Sequence, residues 1–332
     1  MKKILVTGSD GFIGSHLVER LVTKGFKVRA FTFYNSFNSW GWLDNIDKKI
    51  KKELEVISGD VRDFDSIKKA SKNCDYIFHL AALVGIPYSY YAPESYIDTN
   101  IKGTLNVLRA AKENNNLKII HTSTSEIYGT PKTLPITELH PASAQSPYAA
   151  SKVGADHLAL SFYKSYGLPI SVIRPFNTFG PRQSLRAVIP TIILQALNNK
   201  KSIRLGNTYS TRNFNYISDT VDGFVSVLVR KNIFGEIINI GSNFDISIKD
   251  TVNEVSKLMN KDISIIEEEL RKRPIKSEVE RLKASGLKAK KLLKWVPKFK
   301  GKQGFIEALK KTIDWYSSIE NRKKFKNNIY NY

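Results

Sequence analysis

The sequence predicts an α/β protein, a doubly wound parallel sheet with a smaller, mixed C-terminal lobe. Three observations carry this. Short apolar runs at 3–7, 28–32, 55–58, 75–80, 117–122 and 170–173 alternate with stretches of helical periodicity, the pattern of strand–helix–strand units. The first unit turns on Gly8-Ser9-Asp10-Gly11-Phe12-Ile13-Gly14, between a strand and a helix. Beyond about residue 178 the alternation loosens, as expected where a second lobe begins.

The chain has 332 residues, enough for one large α/β unit or two modest domains. We expect the sheet domain to take 1–178 and about 214–242. The second lobe takes 179–213 and 243–320, and 321–332 is a polar tail. Hydrophobic content is 42% and charged content 25%, ordinary for a globular protein. No apolar run approaches the roughly 18–20 residues of a membrane span. The opening MKKILVTG breaks at Gly8, so it reads as a first strand and not as a signal peptide. Cys74 is the only cysteine, which excludes an intrachain disulfide and fits a reducing cytoplasm. The five histidines show no ligand spacing, and no metal is expected. Net charge is +21. The lysines are scattered and not interleaved with aromatics. They read as a solvated surface rather than a nucleic-acid face, and their field would attract a diphosphate.

In chain order, strand 3–7 feeds the glycine turn, which opens a helix at 12–24 with Ile13, Leu17, Val18 and Leu21 on one face. Gly25 closes it and strand 28–32 follows. In that context the glycines bring backbone close to a pyrophosphate seated on the helix N-terminus. This makes the sheet Rossmann-type and nominates Gly8, Asp10, Gly11, Phe12, Ile13 and Gly14 as the cradle. The spacing is G-x-x-G-x-x-G. An acidic residue for the adenosine ribose is expected near Thr32, yet none occurs before Asp44. Thr32 or Asn35 could hold a ribose hydroxyl, and NAD and NADP both stay open. Asp60, after strand 55–58, could accept from an adenine amino group or cap the next helix. Leu80-Ala81-Ala82 are small enough for a backbone passing close to the cofactor. A helix spans about 94–114, and strand 117–122 runs into Ser123-Thr124-Ser125-Glu126.

Tyr148 and Lys152 stand four apart on the next helix, hence on one face. A lysine one turn from a phenol lowers the phenol's pKa and makes a base for an alcohol proton, although a plain surface pair has the same spacing. Strand 170–173 leads into Arg174-Pro175-Phe176-Asn177. Later helices are expected at 187–197, from an N-cap at Ser218-Asp219 through 228, and at 247–259, 288–293 and 305–316. Strands are expected at 236–240 and 263–266, and residues from 323 onward should fray. His79 and His121 end buried strands and read as structural.

TGSDGFIG, GDVRD, HLAA, TNIKGT, STSEIYG, YAASK, RPFNTFGPR and RNFNYISD occur in one order. This set resembles the extended short-chain dehydrogenase/reductases, the nucleotide-sugar epimerases and dehydratases, over essentially the whole chain. The resemblance implies a tightly held, recycled NAD or NADP, with Val61, Asn100 and Thr122 joining the cofactor residues. It implies a sugar-nucleotide substrate met by Asn177, Arg186, Arg212 and Arg273, and a homodimer built through helices at about 94–114 and 147–166. Surface arginines would account for Arg212 and Arg273 equally well on sequence alone.

Within the family, Thr124-Ser125-Glu126 is similar to the triplet of the 4,6-dehydratases, and uronate decarboxylases share it. FYNSFNSWGWLD, IPYSYYAPESYIDTN and RPIKSEVERL resemble the N-acetylglucosamine-nucleotide 4,6-dehydratases of legionaminic-acid biosynthesis, with GDP favoured over UDP. The implied catalytic set is Thr124, Ser125, Glu126, Tyr148 and Lys152. The competing readings are a nucleotide-uronate decarboxylase, a 4-epimerase and, from another class, a non-catalytic nucleotide- or RNA-binding protein.

Overall fold

The computed structural model describes residues 1–114, 117–198, 201–230 and 232–326. Its centre is one seven-stranded parallel sheet. The strands are β1 (Lys3–Thr7), β2 (Lys27–Phe33), β3 (Leu54–Gly59), β4 (Tyr76–His79), β5 (Lys118–Thr122), β6 (Ile170–Pro175) and β7 (Ile237–Ile240). They lie in the order β3-β2-β1-β4-β5-β6-β7, so the winding reverses between β1 and β4. Ile4 of β1 pairs with Val28 on one side and Tyr76 on the other. Ligands of open α/β sheets bind at such a switch point, outside the carboxyl ends of the strands. β4 and β6 are buried along their whole length, as strands covered on both faces must be.

α1 (Phe12–Thr23) buries Leu17, Val18 and Leu21 against the sheet, each worth about 1.5–3 kcal/mol of apolar burial. α2 (Phe64–Ser71), α3 (Gly103–Glu113) and α4 (Pro147–Tyr166) line the other face around Ile67, Leu108 and Ala159. α4 begins where the Ser146 hydroxyl accepts from the Ala149 N–H (3.1 Å), with Pro147 in the first turn. It ends at left-handed Gly167.

The helix expected at 94–114 is present but not uniform. Pro93–Tyr96 is α-helical, Ile97–Lys102 is a π-helical turn, and α3 continues from it. The wider turn carries Asn100.

A separate apolar cluster gathers residues between 179 and 316. α5 (Val188–Leu197) contributes Ile189, Ile192 and Ile193, and Ser202–Leu205 pairs in parallel with Ser264–Glu267. α6 (Ile217–Ser226) returns to the sheet and packs beside α1. Its N-cap is Tyr216 and not the expected Ser218. Asp219 lies inside the first turn, where its buried carboxylate accepts from the distant Phe299 N–H (2.9 Å) instead of from its own helix. α7 (Ile248–Met259) is capped by Ser247, and α8 (Gly301–Ser317) starts about a turn earlier than its periodicity suggested.

Phe325 falls in the stretch expected to fray, and it is anchored. Its ring lies 5.7 Å from Trp42 and 6.3 Å from Trp315, and Trp42 and Trp315 are 5.9 Å apart. The rest of the tail, 327–332, lies outside the described residues. Among the described residues no helix is long and apolar enough to cross a membrane.

Candidate active site

The glycine turn is built to a tolerance that admits no side chain. Gly8 has φ +68°, and a β-carbon there would stand 2.8 Å from the Ala81 nitrogen. At Gly14 a β-carbon would stand 2.0 Å from the Gly8 carbonyl oxygen. Gly14→Ala is expected to cost about 1–3 kcal/mol in urea unfolding and to release any retained dinucleotide. Wild-type retention in this variant would show that the turn has slack.

Above the carboxyl ends of the strands lies a cleft of about 640 Å³. Gly8, Asp10, Gly11, Phe12, Ile13 and Gly14 form its floor, and Asp60, Val61, Leu80, Ala81, Ala82, Thr122 and Lys152 line its walls. The first turn of α1 carries no side-chain cap, so its N–H groups face the turn. The Thr122 hydroxyl oxygen and the Asn177 Oδ1 are buried without a hydrogen-bond partner. A glycine cradle at an uncapped helix N-terminus, plus orphaned polar atoms on the wall, fits a dinucleotide.

Three expected cofactor residues lie off this wall. The Thr32 hydroxyl is buried and shared with the Ser58 hydroxyl (3.0 Å). The Asn35 amide donates to the carbonyls of Phe33 (3.2 Å) and Ser39 (2.8 Å), closing its own loop. Asn100 is buried and holds the loop after β4. Its Oδ1 accepts from the Leu83 N–H (2.9 Å), while its Nδ2 donates to the Leu83 carbonyl (3.0 Å) and the Ser151 hydroxyl (2.9 Å). Asp60 does not cap the following helix, a task done by Asp63. The Asp60 carboxylate takes the Arg62 guanidinium instead (2.5 Å).

A second cleft, of about 440 Å³, adjoins the first and is lined largely by residues between 177 and 278. Thr124, Tyr148, Asn177 and Thr178 line both clefts and form the seam between them. Glu126, Arg186, Arg212 and Arg273 line only the second, whereas Ser125 lines only the first. Thr124 caps the short turn that carries Glu126, its hydroxyl accepting from the Glu126 N–H (3.2 Å). Glu126 is buried and lies 3.7 Å from the Arg273 guanidinium. Arg212 is buried, not a surface residue. It donates to the Glu278 carboxylate (2.8 Å) and to the carbonyls of Thr211 (2.9 Å) and Val279 (2.8 Å). Arg186 is exposed on the rim. Glu278 lies far from Arg212 in the chain, and no local pattern announced it.

Tyr148 and Lys152 are both buried on the inner face of α4. The simple expectation for this pair, a lysine lowering the phenol, is not what the protein alone presents. Burial pushes the Tyr148 phenol well above its usual value. A hydrogen bond with Thr124 opposes this, and the Glu126 charge adds to it. Lys152 donates to the Thr122 carbonyl (2.6 Å), and burial lowers its pKa to about 8, with Asp156 opposing. Burial penalises both charges.

Asp156, one further turn along α4, is a group that sequence reasoning missed. Its buried carboxylate accepts from His121 Nε2 (3.1 Å), Ser123 Oγ (2.6 Å) and Arg174 Nη2 (3.0 Å). Arg174 Nη1 also donates to the Tyr128 hydroxyl (2.9 Å), which donates to Asn239 Oδ1 (2.8 Å). The i, i+4, i+8 spacing of Tyr148, Lys152 and Asp156 was the available signal. His79 bridges the hydroxyls of Thr7 (2.9 Å) and Thr104 (3.1 Å).

Comparison with known proteins agrees with this geometry. The family model described as GDP-mannose 4,6-dehydratase matches residues 5–308. The chain is similar to the UDP-N-acetyl-α-D-glucosaminuronate decarboxylase of Bacillus cytotoxicus, at 32% identity covering 96% of this chain and 99% of the relative. It is similar to the human dTDP-D-glucose 4,6-dehydratase, at 31% identity covering 98% and 92%. A Bacillus cereus UDP-glucuronic acid 4-epimerase, solved with UDP-glucuronic acid and NAD, superimposes with a TM-score of 0.84. That match has 29% identity and covers 97% of this chain and all of the other. With these reactions on one scaffold, the chain belongs to the GDP-mannose 4,6-dehydratase family, among the extended short-chain dehydrogenase/reductases that work on nucleotide sugars.

Proposed function

We propose that the protein is an NAD(P)-dependent nucleotide-sugar 4,6-dehydratase. Its substrate is an NDP-N-acetylglucosamine, GDP favoured over UDP, and its product the 4-keto-6-deoxy sugar. The observation that carries the reading is Glu126. It is a buried carboxylate on the second-cleft wall, next to a seam formed by Thr124 and Tyr148. A carboxylate there faces the sugar carbon beside the one being oxidised, as elimination requires.

A nicotinamide held over the glycine turn in the first cleft would accept the hydride from C4 and return it to C6. Tyr148 takes the C4 hydroxyl proton. The Lys152 ammonium, one turn along α4, offsets the burial that holds the phenol protonated. Thr124 donates to the same sugar oxygen. The C4 ketone acidifies the C5 proton, and Glu126 removes it. Glu126 then returns its proton to the C6 hydroxyl, which leaves as water. Solvent supplies the proton that C5 takes as C6 receives the hydride, and Tyr148 releases to solvent the proton it took from the C4 hydroxyl. Ser125 stands on the first-cleft side, so proton delivery to C6 rests on Glu126. Arg212 and Arg273 take the diphosphate, with Arg186 at the rim and Asn177 at the sugar.

The same reading assigns the dinucleotide to 1–178 with about 214–242, and the sugar nucleotide to 179–213 with 243–320. It also includes a homodimer through the helices around 93–113 and 147–166, supported by exposed Ile97, Tyr163 and Tyr166.

The test is a mass-spectrometric assay of the purified protein with GDP-GlcNAc, UDP-GlcNAc and UDP-glucuronate in parallel. Loss of one water from a GlcNAc nucleotide is expected. Loss of carbon dioxide from the glucuronate would replace the dehydratase by the decarboxylase.

A further inference from the structure

The adenosine end of the first cleft poses a chemical problem. β2 ends in Phe31-Thr32-Phe33 and offers no carboxylate, and the hydroxyl of Thr32 and amide of Asn35 are spent on protein partners. The carboxylate at that place comes from the glycine turn. Asp10 lines the cleft together with Phe33 and Gly59, the last residues of β2 and β3. Its Oδ2 accepts from the Phe33 N–H (3.4 Å), and its carbonyl oxygen accepts from the Trp42 N–H (3.0 Å). The aspartate is thus fastened between the turn and the loop that follows β2. That loop, 34–46, contains no lysine or arginine. Arg62, the guanidinium on this wall, is held by both oxygens of Asp60, with Nε at 3.0 Å from each.

We propose that Asp10 is the specificity-determining residue of the adenosine subsite, accepting hydrogen bonds from the ribose hydroxyls of NAD and excluding the 2′-phosphate of NADP. The proposal rests on the first cleft being the dinucleotide site. An ionised carboxylate only accepts hydrogen bonds, which matches two ribose hydroxyl donors. A 2′-phosphate brings about 1.5–2 negative charges and no proton to share. It would face Asp10, while Arg62, the arginine lining this cleft, is engaged by Asp60, and Lys51, packed on Trp40, lies 3.7 Å from the Asp44 carboxylate. The sequence alone left both cofactors open because the acid is supplied from the first strand's turn rather than from the end of the second strand.

The variant that isolates the charge is Asp10→Asn, whose amide oxygen can still accept from the Phe33 N–H. Full-length wild type and variant are equilibrated with equal NAD and NADP and freed of unbound ligand. The dinucleotide released on denaturation is then quantified by mass. Wild type is expected to retain NAD over NADP by at least about 30-fold, and the variant by less than about 5-fold, through a gain in NADP. Asp10→Ser, which also keeps an oxygen for Phe33, should behave alike and covers a failure of the first variant to fold. Equal retention of both dinucleotides by wild type, or an undiminished preference in a folded variant, would overturn the proposal. Retention of neither by wild type would overturn the reading of the cleft itself, and the proposal with it.

Discussion

Glu126→Gln is expected to slow water loss by about 10²–10⁴-fold, the range for a removed general base, while the protein keeps its dinucleotide. The separation follows from the walls. Glu126 lines only the second cleft, and no residue of the glycine turn touches that cleft except Phe12. The amide preserves shape beside Arg273 but has no basicity. Turnover in deuterated water gives a second readout, since wild type should exchange the C5 hydrogen with solvent and the variant should not. Product release at the parent rate would remove Glu126 from the role of base.

Lys152→Met is expected to lower turnover by about 10³-fold or more, because it removes the charge that accompanies Tyr148 to its ionised form. The same change should alter stability in a pH-dependent way. Burial depresses Lys152 to about 8, so a proton on it is less welcome in the folded than in the unfolded chain. That penalty is complete below pH 8 and fades as the pH rises from about 8 toward the ordinary lysine range. Wild type, compared with the Met variant, should therefore gain up to about 3 kcal/mol of unfolding free energy across that interval. Urea melts of the dinucleotide-free proteins at several pH values measure it. A difference that stays flat would mean that the ammonium is solvated in the folded protein.

Features written within a few residues were legible. The glycine turn, the Tyr148–Lys152 spacing and Glu126 after β5 each depend on local periodicity, and the structure puts all of them around the two clefts. Features that depend on partners from elsewhere were not. Glu278 behind Arg212 and the Asp156 network join segments that no short window contains. Thr32 and Asn35 were reasonable by position, but their side-chain bonds are decided by Ser58 and by the local turn. Asn100, nominated as a cofactor residue, has its side chain bonded to Leu83 and Ser151. The π-helical turn rotates its amide onto the Leu83 backbone, so it shapes the cleft from behind. The Tyr148 phenol shows the limit of pair rules, since burial raises it while the opposing contribution comes from a hydrogen bond with Thr124.

The ring contacts among Trp42, Trp315 and Phe325 bear on the order in which the fold assembles. β1 and β2 are near neighbours in sequence and pair with little loop to close. Trp42 meets its ring partners only across the whole seven-stranded sheet, so the entropy of that closure is met when the intervening elements are already in place. The same residue donates its N–H to the Asp10 carbonyl (3.0 Å). One of the most sequence-distant contacts in the molecule thus ends one hydrogen bond away from one of its most local features, the glycine turn.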